Sequence, residues 1–397
     1  MSTSPVIKPQ SALTALAKAL VLPATMALVL GLSACSKDVR EAHKPSPLPK
    51  LAQIEKISPL LKESIASGEK DDPLRLQLDA DANAIYAVSR DGYVVAFNPQ
   101  GKRLWKERPA KKEKDISSGV TVGEGIVVVG SATGKLYALD AATGQLKWQR
   151  QLSGSILAPS LIAGDRVVTF CNDGTAYGTD LATGEAVWVF DVPATSLSVR
   201  GTAAPALADD DTVVLASASA YVYGLDVRSG VPKWQRRVAI SEGRSEVQRL
   251  IDVDGDPLVA DNYLYTVSYQ GQLTSVDLSS QRVVWTQNTS SLRGAAIANG
   301  LVYVATDEGQ VQAYNQVTGE PAWKQEALAY RGLSNPVAFG RYVAVGDADG
   351  YIHLLDPNSG NILGRVKSSG EVRSMRVIND RLYVATRTGH LSVWQAS

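Results

Sequence analysis

Gly134-Lys-Leu-Tyr-Ala-Leu-Asp140, followed by Ala-Ala-Thr-Gly144 and Trp148, is one copy of a phrase that recurs along this chain and indicates its architecture. It reads as a short apolar strand that ends in Asp, a Thr-Gly turn, and a tryptophan. The phrase returns elsewhere as Asp180…Gly184…Trp188, Asp226…Gly230…Trp234, Asn315…Gly319…Trp323 and, more weakly, Asp277…Gln281…Trp285. A phrase repeated along most of a chain indicates a repeat architecture, in which every copy is one structural unit.

The strand before the turn can be aligned eight times, and the copies are evenly spaced. They begin near Gly92, Gly134, Gly174, Ala220, Gly271, Gly309, Gly350 and Gly389, with separations of 42, 40, 46, 51, 38, 41 and 39 residues. A period of about 40–45 residues with several short strands in each unit is typical of propeller blades. The sequence therefore predicts an all-β protein, an eight-bladed β-propeller of four-stranded antiparallel blades.

Each part of the phrase has a predicted place in a blade. Asp accepts hydrogen bonds from the turn backbone and Gly adopts a positive φ at little cost, so the Asp-x-x-Thr-Gly turn joins the third strand to the fourth. The tryptophan then falls on the fourth, outermost strand, where it fills the space between one blade and the next.

The last two repeats depart from the phrase. The seventh has Gly364 in the tryptophan position, and the eighth stops at Trp394 in its third strand, shortly before the chain ends at Ser397. The last blade therefore lacks a fourth strand, and we expect the segment from about Ile57 to Ile65 to supply it. Closing the ring with both ends of the chain removes two exposed sheet edges.

The N-terminal residues predict export and a lipid anchor. Residues 1–34 have the features of a signal peptide, because Lys8 and Lys18 precede an apolar run from Ala19 to Leu32 and no acidic residue occurs before Asp38. The run ends in Leu32-Ser-Ala-Cys35, which resembles a lipobox, so Cys35 is the predicted lipidation site. Ser36 after that cysteine favours the outer membrane. The alternative is an ordinary cleaved signal. Residues 35–54 read as the lipidated cysteine and a flexible tether, and residues 55–397 as the propeller.

Composition and motifs argue against catalysis and nucleic-acid binding. The 40 basic and 40 acidic residues balance, which leaves no bulk charge for nucleic acid. Cys171 is the only cysteine besides Cys35, and we expect it to be a small buried strand residue. The three histidines have no metal-ligand spacing, and two of them, His353 and His390, read as structural. No nucleophile elbow, phosphate loop or cofactor site is predicted.

One acidic run resembles the start of a calcium loop. Asp252-Val-Asp254-Gly-Asp256 matches the first ligand positions, but Pro257 stands where Gly is needed and Tyr263 where a bidentate Glu is needed. An acidic recognition loop or a solvated turn fits the run better than a metal site.

The two longest separations point to a partner site. They are consecutive, and their extra residues fall after Trp188 and after Trp234, where an outer strand leads to the inner strand of the next blade. Such connections emerge on one face, so neighbouring blades carry two extended loops side by side. The predicted partner-binding residues are Leu197, Val199, Arg200, Asp252 and Asp254. Apolar anchors beside charged groups suit a protein interface. Alternatively, Arg200 pairs with an Asp and only braces the loops.

These stretches resemble a known family. Ser196-Leu-Ser-Val-Arg-Gly201, Arg249-Leu-Ile-Asp-Val-Asp254 and Ser334-Asn-Pro-Val337, together with the lipobox and the repeats, are similar to the BamB family, lipoproteins of the outer-membrane β-barrel assembly machinery. The resemblance implies a non-catalytic scaffold on the periplasmic face of the outer membrane, with no cofactor. Its two loops would bind BamA, the barrel-forming subunit, and it would aid unfolded barrel precursors, which it could contact through exposed strand edges. Val199 replaces the leucine usual in that motif.

A second class shares the repeat. The Asp-x-x-Thr-Gly-x-x-x-Trp phrase also occurs in quinoprotein dehydrogenases, eight-bladed enzymes that bind pyrroloquinoline quinone and calcium. Members of that class have adjacent cysteines over the cofactor, which the lone Cys171 cannot supply. A WD40 propeller is disfavoured because its Gly-His and Trp-Asp pairs are missing.

Overall fold

A computed structural model describes residues 44–51, 55–65, 77–89, 91–110, 116–193, 203–240, 253 and 255–396. The strands of these residues, in chain order, are β1 (Ile57–Ser64), β2 (Asp79–Ala80), β3 (Ile85–Val88), β4 (Val94–Phe97), β5 (Arg103–Glu107), β6 (Ile116–Gly123), β7 (Ile126–Ser131), β8 (Lys135–Asp140), β9 (Leu146–Gln151), β10 (Leu161–Ala163), β11 (Arg166–Phe170), β12 (Thr175–Asp180), β13 (Ala186–Asp191), β14 (Ala206–Asp209), β15 (Thr212–Ala216), β16 (Tyr221–Asp226), β17 (Pro232–Arg237), β18 (Leu258–Ala260), β19 (Tyr263–Val267), β20 (Gln272–Asp277), β21 (Arg282–Asn288), β22 (Ala296–Ala298), β23 (Leu301–Ala305), β24 (Val311–Asn315), β25 (Pro321–Gln325), β26 (Val337–Phe339), β27 (Tyr342–Gly346), β28 (Tyr351–Leu355), β29 (Ile362–Lys367), β30 (Val372–Ile378), β31 (Arg381–Thr386) and β32 (His390–Ala396).

The strands form eight four-stranded antiparallel sheets, which are the eight blades of a propeller. Blades 1 to 7 are consecutive sets of four, from β2–β5 to β26–β29. Blade 8 has the order β1-β32-β31-β30, so its outer strand comes from the other end of the chain. In β1, Ile57 is paired with Ala396 and Ser64 with His390. The predicted fold class and the predicted closure of the ring are both confirmed.

The strand order defines two faces of the ring. In each blade the first strand is innermost, because the first strands of neighbouring blades lie side by side, as β14 and β18 do. Since successive strands are antiparallel, the turns between first and second strands and between third and fourth strands share one face, here called the turn face. The turns between second and third strands and the connections from one blade to the next share the opposite face, here called the connection face.

In five of the blades the tryptophan packs against the turn glycine of the next blade; in blade 4 the next turn has Gln281 in place of that glycine. A Cβ atom on Gly184 would lie 2.6 Å from the ring of Trp148, so only glycine fits there. Its positive φ of 76° also favours glycine. The indole Nε1 of Trp148 donates a hydrogen bond of 2.9 Å to the carbonyl oxygen of Leu181 in that same turn. The same indole bond joins Trp105 to Ala141, Trp188 to Val227, Trp285 to Gln316 and Trp323 to Pro357.

The Asp of the phrase organises its own turn, as predicted. In blade 2, Asp140 Oδ1 accepts bonds from the backbone N–H of Thr143 at 3.0 Å and from its hydroxyl at 2.9 Å. Hydrogen bonds from Thr143 are the main reason that the pKa of Asp140 lies below its ordinary value. The pKa values of Asp180 and Asp226 are lowered in the same way by Thr183 and Ser229.

Gly364 occupies the tryptophan position of blade 7 for a structural reason. It is paired with Leu354, just as Trp323 is paired with Ala313 in blade 6. The segment that leads into β1 passes directly over it, and Glu55 forms a parallel bridge with Gly364. A Cβ atom at Gly364 would lie 2.2 Å from the carbonyl oxygen of Glu55. The N-terminal segment thus fills the space that a tryptophan fills in other blades.

Contacts of Glu55 and Pro49 attach this segment to blade 7. The carboxylate of Glu55 accepts bonds from the Tyr342 hydroxyl at 2.7 Å and from Arg341 at 2.5 Å. The carbonyl oxygen of Pro49 accepts a bond from Arg365 at 2.9 Å. The division into signal peptide, tether and propeller remains a prediction, but the last part of the predicted tether makes specific contacts with the ring.

Two residues singled out in the sequence lie in the core. Cys171 is fully buried and has a free thiol, whose pKa burial raises to about 12. It follows directly after β11 rather than lying within a strand. His353 is also fully buried and lies 3.0 Å from Asp347, so it is a structural histidine.

Within the described ranges, no helix has the length and apolar character needed to cross a membrane.

Candidate functional site

All six sequence-predicted site residues lie outside the described parts of the chain. They are the lipidation site Cys35 and the partner-binding residues Leu197, Val199, Arg200, Asp252 and Asp254. The structure nevertheless describes the residues that flank both predicted loops, and these flanks show where the loops begin and end on the ring.

The two long connections leave neighbouring blades on the same face. The first runs from the end of β13 in blade 3 to the start of β14 in blade 4. The second runs from the end of β17 in blade 4 to the start of β18 in blade 5. Both are blade-to-blade connections and therefore belong to the connection face. Since β14 and β18 lie side by side, the two loops end next to each other.

Asp256 joins the ends of the two connections directly. Its Oδ1 accepts a hydrogen bond of 2.9 Å from the backbone N–H of Ala204, which lies in the last part of the first connection, two residues before β14. Its Oδ2 accepts a bond of 2.9 Å from the side-chain amide of Gln77. In the sequence, Asp256 is only the third acid of an incomplete calcium loop. Nothing in the sequence around it predicts its hydrogen bonds with Ala204 and Gln77.

Apolar contacts fix the same region. Val253, which lies between two of the predicted partner-binding residues in the sequence, is only 1% exposed and packs in one cluster with Ala203, Val238 and Leu264. The hydroxyl of Thr274 in blade 5 donates a bond of 2.6 Å to the carbonyl oxygen of Val238. The second connection is thus attached to the core between blades 4 and 5 at both of its ends.

Ile240 adds an apolar group that the sequence reasoning missed. It follows β17 at the beginning of the second connection, and its side chain is 60% exposed. A single exposed apolar residue is common on protein surfaces. Its position at the start of the second long connection, however, makes it part of the same candidate surface. In the sequence, its position after Trp234 was the only feature that could have indicated this.

A cavity of 410 Å³ lies between the inner strands near this region. Residues of β18, β22, β26 and β30 line it, together with Gln77 and Asp256. Three arginines contribute to the lining, Arg293, Arg373 and Arg376. Arg376 forms an ion pair of 2.9 Å with Asp79, and Arg373 forms one of 3.1 Å with Glu371. These carboxylates offset much of the local positive charge.

A buried ion pair orders another connection on the same face. Arg331, in the connection between blades 6 and 7, donates to Asp347 at 2.8 Å and to Asp349 at 2.6 Å. Burial alone would raise the pKa of Asp347, but hydrogen bonds from His353, Tyr351 and Arg331 hold it below its ordinary value. Asp347 therefore stays ionised and keeps the Arg331 connection in place.

No group of three or more His, Cys, Asp or Glu side chains that could hold a metal ion occurs among the described residues.

Comparison with known proteins identifies the family of this ring. The profile of the family described as outer membrane protein assembly factor BamB matches residues 90–325 and 307–397. The outer membrane protein assembly factor BamB of Pseudomonas aeruginosa is 36% identical over 371 residues, which cover 93% of this chain and 97% of that protein. The chain belongs to the BamB family.

Solved structures agree with this assignment. The crystal structure of BamB from Moraxella catarrhalis is similar with a TM-score of 0.79 and 36% identity, over 86% of this chain and all of that one. The quinohemoprotein alcohol dehydrogenase of Comamonas testosteroni has a TM-score of 0.68 at only 15% identity, over 86% of this chain and 77% of that one. At that identity the likeness shows a shared propeller fold and nothing about activity.

Membership of the BamB family decides between the two classes left by the repeat phrase. The relatives that cover almost the whole chain are named as outer membrane protein assembly factors. The dehydrogenase interpretation, which rested on the repeat phrase alone, receives no support beyond the fold.

Proposed function

We propose that this chain is a non-catalytic scaffold lipoprotein of outer-membrane β-barrel assembly, which binds the barrel-forming subunit BamA through its connection face. The observation that carries the proposal is the pairing of two long connections on neighbouring blades, whose ends are joined by Asp256 and Ala204. A catalyst needs convergent reactive groups, whereas a scaffold needs a shaped surface held in a fixed position. The described region offers a surface of this kind, held in place by the bond between Ala204 and Asp256.

The proposed contacts are Leu197, Val199, Arg200, Asp252 and Asp254. Leucine and valine would supply an apolar centre, and arginine with the two acids would supply charge complementarity around it. The exposed side chain of Ile240 extends the apolar part of this surface. Buried Val253 supports the proposal because it fixes the backbone between the two acids.

Charge and truncation variants test this partner site. Arg200→Ala, combined with Asp252→Lys and Asp254→Lys, is expected to reduce capture of BamA from detergent-solubilised envelopes by tenfold or more, since each lost interfacial charge contact costs about 2–5 kcal/mol. A matched control reverses two exposed acids on the turn face, Glu124→Lys and Asp210→Lys. Equal capture by the triple variant and the native chain would show that the partner binds elsewhere.

The anchor is the second part of the proposal. Acylated Cys35 would hold the protein on the periplasmic face of the outer membrane, because two or more acyl chains are needed for stable anchoring and lipoprotein processing supplies them. Mass spectrometry of the mature N-terminus should find the acyl groups on Cys35. Cys35→Ser should move the protein from the outer-membrane fraction to the soluble fraction. An unmodified N-terminus at another residue would support an ordinary cleaved signal instead.

The scaffold would aid delivery and insertion of β-barrel precursors, while direct contact with unfolded precursors remains a prediction. Site-specific photo-crosslinking from the outer strands and from the connection face tests it. Crosslinks to precursors from the outer strands would support contact through strand edges. Crosslinks confined to BamA would assign the chain a supporting role.

A further inference from the structure

Asp256 lies where three separate connections of the ring meet. It lies two residues before β18, at the end of the second long connection, and it binds Ala204 at the end of the first. Its other oxygen accepts a bond from Gln77, which lies two residues before β2, near the end of the connection from blade 8 to blade 1. One carboxylate therefore links residues 77, 204 and 256, which are far apart in the sequence and belong to blades 1, 4 and 5.

The blades of a propeller surround a central channel. Blades 1 and 5 are opposite each other in a ring of eight, so the bond between Gln77 and Asp256 crosses this channel on the connection face. Gln77 is itself held by the ring. Its carbonyl oxygen accepts a bond of 2.9 Å from Val120 in blade 2, and a Cβ atom on Gly119 would lie 2.8 Å from Gln77. Gln77 is thus a fixed donor, and Asp256 is bound on one side by it and on the other by Ala204.

The backbone around Asp256 is equally constrained. A Cβ atom on Gly255 would lie 2.7 Å from the carbonyl oxygen of Arg293, so the chain passes close to the connection between blades 5 and 6. Val253 is buried two residues earlier. Packing sets the path of the backbone, and the bond from Ala204 to Asp256 sets the distance between the ends of the two long connections. The bond from Gln77 holds the Asp256 carboxylate from the other side.

We propose that Asp256 is the positioning residue of the partner surface, because it fixes the ends at which the two long connections join the ring, Ala204 in the first and Asp256 itself in the second, before the partner arrives. This inference rests on the proposed function, since it concerns the same surface. Loops whose ends are fixed in advance lose less conformational entropy on binding and so bind more tightly. Hydrogen bonds to a charged acceptor are stronger than bonds between neutral groups, so the carboxylate of Asp256 is suited to hold Ala204 in place.

Substitutions at Asp256 separate positioning from direct contact with the partner. Asp256→Ala removes both bonds and is expected to weaken binding of the purified periplasmic domains of BamA by about tenfold, which corresponds to about 1.4 kcal/mol. Asp256→Asn keeps the acceptor for Ala204 and can donate to Gln77 after the glutamine amide turns over. It should therefore restore binding to within about threefold of the native chain. Gln77→Ala loses only the bond across the channel and should give an intermediate loss.

The matched control is Asp307→Ala. Asp307 also lies on the connection face and also makes two bonds, to the backbone of Leu292 and to the hydroxyl of Ser290, but these hold the connection between blades 5 and 6. Its variant should bind the BamA domains as the native chain does. Native affinity in Asp256→Ala would overturn the proposal. So would an Asn variant as weak as the Ala variant, because that result would mean that the charge itself contacts the partner.

Amide hydrogen exchange of the free full-length protein distinguishes failure of this inference from failure of the proposed function. Asp256→Ala should speed exchange at Ala204 and in the residues on either side of both long connections, with the rest of the ring unchanged. If the native chain does not bind the BamA domains at all, the proposed function fails, while the exchange measurement still tests positioning. Unchanged exchange in the alanine variant would rule the positioning role out.

Discussion

The contact between blades 2 and 3 and the contact between blades 7 and 8 are built in different ways. Between blades 2 and 3, Trp148 packs on the turn glycine Gly184 and binds the carbonyl oxygen of Leu181. Between blades 7 and 8 there is no such turn to pack against, because the third and fourth strands of blade 8 come from opposite ends of the chain. Gly364 replaces the tryptophan there, and Glu55 passes over it.

The difference separates local from long-range sources of stability. Each regular contact is specified within one repeat and the next, so a short phrase can encode it many times. The closing contact is specified by residues almost a full chain length apart, such as Glu55 with Tyr342 and Ile57 with Ala396. It forms only when both ends of the chain have met, and it removes the exposed edges that an open ring would keep.

The largest expected effect is on the closing contact. Deleting residues 55–65 removes β1 and the Glu55 bridge, exposes the edge of β32 and uncovers the buried Trp394. Because single domains are stable by only about 5–15 kcal/mol, we expect the variant to lose most of its free energy of unfolding. Urea unfolding followed by tryptophan fluorescence measures this loss.

The control for that deletion is removal of residues 36–43, which leaves β1, Glu55 and the described residues before them in place. This shorter variant should unfold at the same urea concentration as the mature chain. If deletion of residues 55–65 instead left the unfolding midpoint unchanged, the regular contacts alone would hold the ring.

A regular contact should be the next most sensitive. Trp148→Ala leaves a cavity on the turn of blade 3 and removes the bond to Leu181, and it should cost about 3–5 kcal/mol in the free energy of unfolding. Trp148→Phe keeps most of the packing and loses chiefly the hydrogen bond, at about 1 kcal/mol. Urea unfolding of both variants separates packing from hydrogen bonding. Equal losses would show that the indole bond, rather than the packed ring, dominates the contact.

Placing the regular residue at the closing contact should be harmful. Gly364→Trp gives blade 7 the side chain that six other blades have, but its Cβ would collide with the carbonyl oxygen of Glu55. Overpacking of this kind costs about 1–3 kcal/mol. Thermal unfolding of the variant measures the cost. A more stable tryptophan variant would mean that the N-terminal segment moves aside without loss and that glycine is not required there.

Local chemistry explains how much of the fold could be predicted from the sequence. The turn needs Asp and Gly, and the outer strand needs Trp. Each repeat therefore carries its own signature, and the number of blades could be counted from the sequence. Even the missing strand could be predicted, because blade 8 ends at its third strand. The path of Glu55 over Gly364 could not, since nothing near Gly364 indicates a residue more than 300 positions away.

The candidate site was predictable only in outline. Two lengthened intervals gave the positions of the long connections, and the topology confirmed that they share a face. The role of Asp256 was not visible, because its partners Ala204 and Gln77 are distant in the sequence and one of them is a backbone N–H. A backbone donor has no sequence signature, so such a contact can be found only in three dimensions.

The smallest expected effect is on the acid stability of the turns between third and fourth strands, which the regular blades have and blade 8 does not. The pKa values of Asp140, Asp180 and Asp226 are lowered by turn hydrogen bonds, so their ionised forms stabilise the folded state above the ordinary carboxyl pKa. This stabilisation is lost as the pH falls below about 4 and the groups become protonated. Asparagine accepts the same turn bonds without titrating, as Asn315 does by accepting the backbone N–H of Thr318.

The triple variant Asp140→Asn, Asp180→Asn and Asp226→Asn should therefore unfold at a urea concentration that changes less between pH 5 and about pH 2.5 than that of the native chain. Ion pairs of Asp140 with Lys147 and of Asp226 with Lys233 are lost in the variant, so its stability at neutral pH should be slightly lower. The two curves of urea midpoint against pH should converge in acid. Parallel curves would show that these turn carboxylates do not govern the acid stability of the ring, and that other carboxylates such as Asp347 do.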